Sequence, residues 1–162
     1  MAHDVRDLHQ NHAAREELLR VNNANARETS LLTRERFDFM IASARVATFV
    51  EPSAAFLLAF EQDDNYDGSH FLWFRKRFDR FLYVDRIVVS DRHRRLGLGR
   101  LLYADLFGRA EQLGHARITC EVNSRPPNPT SDKFHAALGF HEVGTATMAD
   151  GGKTVRYLLR QS

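Results

Sequence analysis

The stretch that decides the fold is FLYVDRIVVSDRHRRLGLGRLLYADLFGRAEQLG, residues 81–114. Residues 81–89 are rich in β-branched and aromatic side chains and apolar on both faces except at Asp85 and Arg86, the pattern of an interior strand. Leu98, Leu102, Leu106, Ala110 and Leu113 then fall on one stripe that stops at Gly114, which predicts an amphipathic helix ended by a glycine. Between the two lies DRHRRLGLGR, residues 91–100. A helix N-terminus offers unpaired N–H groups and a partial positive charge, and glycines let a ligand approach the backbone closely. Strand, basic glycine loop and helix in that order therefore predict an anion site, most simply one for phosphate.

Working outward, ARITCEV (116–122) reads as the next strand, brought beside 81–89 by a βαβ crossover. A proline loop NSRPPNPT (123–130), a short helix SDKFHAAL (131–138), a strand GFHEVG (139–144), a turn at Asp150-Gly151-Gly152 and a last strand KTVRYLLR (153–160) come next. On the other side, RVATFV (45–50) and AAFLLAFE (54–61) form a hairpin across Glu51-Pro52-Ser53. An acidic loop with Asp63, Asp64 and Asp67, read as solvated, precedes an amphipathic helix carrying Phe71, Phe74 and Phe78. Further upstream, Phe37, Met40 and Ile41 predict a helix over Thr33–Ala44, and a short strand is expected around Leu18–Val21. Residues 1–16 are polar and read as a tail or frayed helix outside the core, with His3, His9 and His12 solvated rather than metal ligands. The expectation is a single α/β domain over 17–162, with about seven strands and about four helices.

Composition narrows the function. The 162 residues suffice to bury a core without a disulfide or metal, and the net charge of +2 is too small for the broad basic footprint of a nucleic-acid binder. The arginines of the loop could form a small nucleic-acid patch, but no aromatic interleaving accompanies them. Cys120 is the single cysteine and lies in an apolar run, so a buried thiol in a reducing cytoplasm is expected. Nothing approaches the length of a membrane span or a secretory signal. No nucleic acid, membrane or metal is expected as a partner.

Two phosphate fingerprints can be tested against the loop. A P-loop requires Gly-x-x-x-x-Gly-Lys-Ser/Thr, which the chain lacks, and Gly97-Leu98-Gly99 has no third glycine for a dinucleotide fold. Arg94-Arg95-Leu96-Gly97-Leu98-Gly99 instead resembles the Arg/Gln-x-x-Gly-x-Gly/Ala signature of the GNAT superfamily of N-acetyltransferases. NPTSDKFHAALGF (128–140) is similar to that family's second segment, with Asn128, Ser131, Phe134, His135, Leu138, Gly139 and Phe140 in register. The resemblance covers about residues 17–162 and implies a mixed central sheet with helices on its faces.

It also implies a function: an N-acetyltransferase that moves an acetyl group from acetyl-CoA to a small-molecule or peptide amine by direct attack. The coenzyme's pyrophosphate would lie on Arg94, Arg95, Leu96, Gly97, Leu98, Gly99 and Arg100, its pantetheine along Ile87, Val88 and Val89, and Asn128 and His135 would complete the binding set. Tyr83 and Asp85 lie on one face of a strand at period two, at places where the family carries groups that take the amine proton, so the resemblance implies Asp85 as the base with Tyr83 as helper. A structural carboxylate at Asp85 is the equal alternative. An amide near Val88 or Val89 would stabilise the oxyanion. The departing thiolate's proton would come from His135, which stands where the family carries tyrosine. The acceptor would be chosen by the segments around 22–40 and 61–80. A catalytically idle acyl-CoA sensor and a homodimer both remain open at this point.

Overall fold

A computed structural model of the chain describes residues 3–25, 30–149 and 152–162. Among the described residues, seven strands form one mixed sheet in the order β1-β2-β3-β4-β5-β7-β6, with β1 Val5–Asp7, β2 Val46–Val50, β3 Ala55–Glu61, β4 Leu82–Val89, β5 Arg117–Arg125, β6 His141–Thr147 and β7 Thr154–Gln161. Helices α1 (Arg15–Ala24), α2 (Arg34–Ser43) and α3 (Ser69–Arg75) cover one face, and α4 (Leu98–Leu113) and α5 (Pro129–Ala137) the other.

The decisive stretch folds as its pattern predicts. In α4 the stripe Leu98, Leu102, Leu106 and Ala110 is buried against Leu57, Val84 and Ile118, and Gly114 ends the helix in the left-handed region at φ +78°. The hairpin β2–β3 forms as expected, and Thr33 caps α2 by accepting from the Arg36 N–H at 3.1 Å.

Three expectations change. The segment read as a strand at Leu18–Val21 is the middle of α1, whose buried residues Arg15, Leu18, Val21 and Asn22 recur at helical spacing over a longer window than the apolar pair suggested. Residues 1–16 are not all outside the core: Val5–Asp7 pair antiparallel with β2 as the sheet's edge, and Leu8 is wholly buried. Strand β5 runs on to Arg125 and α5 begins at Pro129, so the proline loop shrinks to residues 126–128. The extra helix α1 makes five α-helices among the described residues, while β1 takes the place of the misread strand. The turn expected at Asp150-Gly151-Gly152 lies outside the described residues except for Gly152.

Two irregularities open the sheet at its centre. Where β3 pairs with β4, Leu58 opposes Arg86 and Ala59 opposes Val84, so Asp85 is an extra residue in a β-bulge. The bulge resets the alternation: Val84 and Ile87 both pack on the α4 side, Tyr83 and Val88 on the opposite side. The parallel strands β4 and β5 pair only at Leu82–Ile118 and Tyr83–Thr119, though they continue to Val89 and Arg125. Beyond Tyr83 they splay, and a cleft of about 990 Å³ opens between them.

Candidate active site

At one end of the cleft is the start of α4. Gly97 occupies its cap position at φ +76°, with no side chain capping the first turn, so the N–H groups of that turn have no intrahelical acceptor. A Cβ at Gly97 would stand in open space; a Cβ at Gly99 would come within 3.2 Å of the Phe134 ring. Gly97 thus serves its backbone angle, and Gly99 the close packing of α4 on α5. Arg95 also has positive φ (+65°), and Arg94, Arg95 and Arg100 are exposed around the turn. Arg94 is held by Asp91 at 2.9 Å and by the Asn25 side-chain oxygen at 2.7 Å. Leu98 is buried beneath the turn while Leu96 stands out into solvent. Asn128 lines the cleft, but its side-chain oxygen caps α5 by accepting from the Ser131 N–H at 3.3 Å.

Ile87, Val88 and Val89 form the cleft edge of β4 past its last pairing with β5. An extended chain can add to that edge as a strand would, because backbone groups there lack a β5 partner. An unpaired helix N-terminus beside an open strand edge suits a pyrophosphate with a long amide-bearing arm.

At the apex, where the strands part, two carboxylates meet. Asp85 accepts from the Tyr66 hydroxyl at 2.6 Å and pairs with Arg86 at 2.8 Å, both side chains about nine-tenths buried. Arg86 in turn donates to Asn22 at 2.9 Å and to Ser30 on the far wall. The Tyr83 hydroxyl donates not to Asp85 but to Glu121, at 2.6 Å. Burial, reinforced by the nearby charge of Asp85, raises the Glu121 carboxyl well above the usual carboxylate range. Burial likewise raises the Tyr66 and Tyr83 hydroxyls.

His135 is buried, and both ring nitrogens are engaged. Nδ1 lies 2.8 Å from the Ser131 carbonyl, which only accepts, so Nδ1 carries the proton and Nε2 accepts from the Tyr103 hydroxyl at 2.9 Å. Burial holds its pKa below the ordinary imidazole value, favouring this neutral form.

The expected coenzyme residues and Asp85, Tyr83 and His135 line one cleft, Leu96 alone standing off it. The sequence reading missed Glu121, although a lone carboxylate in the apolar run ITCEV is the same signal that singled out Asp85 in YVDRIVV. It also missed Tyr66 and His70, which reach the site from the segment between β3 and β4 and have no local pattern to mark them. His70 lies with its Nδ1 2.9 Å from the Tyr157 hydroxyl. In the acidic loop, Asp63 is exposed, Asp67 pairs with Arg36, and half-buried Asp64 instead accepts from the Arg45 and Glu61 N–H groups. Of the expected acceptor segments, 26–29 lie outside the described residues. Among the described residues no cluster of three or more His, Cys, Asp or Glu could hold a metal ion, and no helix is long and apolar enough to cross a membrane.

Comparison with known proteins agrees with this fold. Residues 10–160 match the acetyltransferase (GNAT) domain family. Over 63 residues the sequence is 38% identical to a phosphinothricin N-acetyltransferase of Streptomyces viridochromogenes, a match covering 39% of this chain and 33% of that protein. Among solved structures, Ard1 from Thermoplasma volcanium superposes with a TM-score of 0.76 at 14% identity, covering 99% of this chain and 98% of that one. A chain of the NatC complex bound to Gag peptide and CoA gives 0.77 at 10% identity, covering 100% and 99%. At these identities the likeness is one of fold.

Proposed function

The chain belongs to the GNAT acetyltransferase family, which uses acetyl-CoA as co-substrate, and from that premise we propose that it acetylates a primary amine by direct attack within a ternary complex. The observation that carries this is the splay of β4 from β5 after Tyr83–Thr119, which joins the α4 N-terminus to a pair of carboxylates in one cleft. Acetyl-CoA supplies the acetyl group as an activated thioester. The first-turn N–H groups of α4 and the loop arginines hold its pyrophosphate, and the β4 edge at Ile87–Val89 aligns its arm and offers an amide near Val88 or Val89 to the thioester oxygen.

At the apex the carboxylates divide the work. Asp85, expected as the base, has both oxygens committed to Tyr66 and Arg86, whereas Glu121 has one committed, to Tyr83. Glu121, made more basic by burial and by Asp85, takes the proton from the attacking nitrogen, directly or through a water, while Tyr83 steers its carboxylate. Asp85 supplies the neighbouring negative charge and ties the apex to Arg86. His135 serves as a positioning residue: its Nδ1 proton is held by Ser131 and its Nε2 lacks one, so it joins α5 to Tyr103 of α4 instead of protonating a thiolate.

The test is thiol release from acetyl-CoA across an amine library that includes phosphinothricin and peptide N-termini. Acceptor-dependent thiol release supports transfer. Calorimetric binding of coenzyme A with no thiol release from any amine would favour the idle acyl-CoA sensor.

A further inference from the structure

Neighbouring antiparallel strands need only about two to five residues to connect, yet β3 and β4 are joined by residues 62–81. A connection of that length within a packed sheet needs its own reason, and here it folds over the apex. Tyr66 reaches Asp85, and Trp73 stacks on Tyr157 with ring centres 4.0 Å apart. Trp73 is seated so closely on β6 that a Cβ at Gly144 would stand 2.5 Å from its ring. This anchoring fixes His70, a turn away on α3, at the wall of the cleft that also holds Asp85 and Glu121.

The reaction takes two protons from the nitrogen in separate steps, and Glu121 holds one proton at a time. An alkyl amine arrives at neutral pH as an ammonium ion, and the balanced transfer is ammonium plus thioester giving amide, thiol and one free proton. Two protons leave the nitrogen, one before it can attack and one after the C–N bond forms; one ends on sulfur and one in solvent. Glu121 provides for one of them.

Resting on the acetyl-transfer reading, we propose that His70 is a second catalytic base, accepting through Nε2 the proton that the acceptor ammonium must lose before attack and passing it to solvent. In the required tautomer Nδ1–H donates to the Tyr157 oxygen at 2.9 Å, which leaves the Nε2 lone pair for the cleft. The side chain is partly exposed, so a proton on it can reach water. The groups around it are Asp85 on β4, whose charge favours a proton on His70, Tyr157 on β7, and Glu121 on β5 and Arg77 after α3, whose charges act on Tyr157. Burial outweighs Asp85 and keeps the imidazole below its ordinary pKa, so it is neutral and ready to accept near pH 7.

The experiment uses two small amines of nearly equal shape, ethylamine, which arrives as the ammonium, and 2,2,2-trifluoroethylamine, which arrives neutral. Both are small beside the cleft and are supplied at high concentration, with thiol release as the readout. His70→Gln is expected to slow ethylamine turnover about 10²-fold, the lower end of what a positioned base contributes, while leaving trifluoroethylamine turnover close to wild type. Glu121→Gln slows both. Added imidazole should restore ethylamine turnover to His70→Ala, which also covers the case in which the glutamine variant folds poorly. Equal loss with the two amines, no loss with ethylamine, or failure of imidazole to rescue overturns the role of His70 and leaves acetyl transfer standing. Absence of thiol release from the wild-type protein with both amines and the wider library overturns both readings.

Discussion

Asp85 and Glu121 are both carboxylates set in apolar strands, yet their neighbours place different demands on them. Glu121 has a folded pKa above its unfolded value, so ionising it costs stability; the cost is absent below the unfolded value of about 4.3 and grows as pH rises through the folded one. Glu121→Gln keeps an acceptor for Tyr83, and should lower turnover about 10²- to 10⁴-fold while raising the melting temperature at neutral pH. The two melting curves should converge as pH falls toward 4; a variant that melts below wild type at pH 8 would contradict the burial argument. Asp85→Asn does the reverse. It leaves the Arg86 guanidinium buried beside a neutral amide, which costs about 3–5 kcal/mol for a buried pair, and a wild-type urea midpoint would show that the pair carries no stability. Loss of turnover in both variants with opposite changes in stability would separate a base from the charge beside it.

At the scale of elements, the contact between α4 and α5 governs coenzyme binding. Gly99→Val drives a branched side chain into Phe134 and levers α5 from the α4 N-terminus, so calorimetry should show coenzyme A affinity reduced at least tenfold in a folded variant. Gly97→Val meets no neighbour, but a β-branched residue at φ +76° is strained by at least about 1–2 kcal/mol, with the cost falling on the same turn. His135→Phe removes the imidazole to which the buried Tyr103 hydroxyl donates and leaves only the weakly accepting Cys120 sulfur beside it, which should cost about 1–3 kcal/mol at pH 8. The folded pKa of His135 lies below the unfolded one, so wild-type stability is complete above about pH 6.5 and is lost as pH falls toward the folded value. The gap between wild type and His135→Phe in urea denaturation should therefore narrow at pH 5.5. At the sheet's edge, Leu8→Ala should cost about 2–5 kcal/mol, whereas a residue of a solvated tail would cost almost nothing.

Across the whole molecule, the cleft joins elements distant in sequence, so a ligand that bridges them must stabilise the fold. Coenzyme A at a hundred times its Kd contributes about 2.7 kcal/mol, which for a domain of this size raises Tm by about 5–10 °C. Differential scanning calorimetry should show that rise in wild type and lose it in Gly99→Val. An unchanged wild-type Tm at saturating coenzyme A would remove the cleft as its site.

The strand, basic glycine turn and helix of residues 81–114 were legible in the sequence because each depends on nearest neighbours: β-branched residues for the strand, a 3.6-residue apolar stripe for α4, and glycines where the chain needs positive φ. The hairpin at Glu51-Pro52-Ser53 was legible for the same reason. What the sequence could not show was pairing across the sheet. Neither the three-residue edge strand β1 nor the pocket for Leu8 has a local period, and the β4 bulge at Asp85 exists only because β3 opposes it out of step. The site therefore appeared in the sequence as Asp85 with Tyr83, whereas folding gave Tyr83 to Glu121 and Asp85 to Tyr66 and Arg86. Likewise His135 is on the site in the linear order, but its two nitrogens were assigned by helices packing, Ser131 from its own turn and Tyr103 from α4. Local chemistry chose the elements; the partners of each buried polar group were chosen by which elements came to lie together, because a buried donor or acceptor must be satisfied by whatever the fold brings within reach.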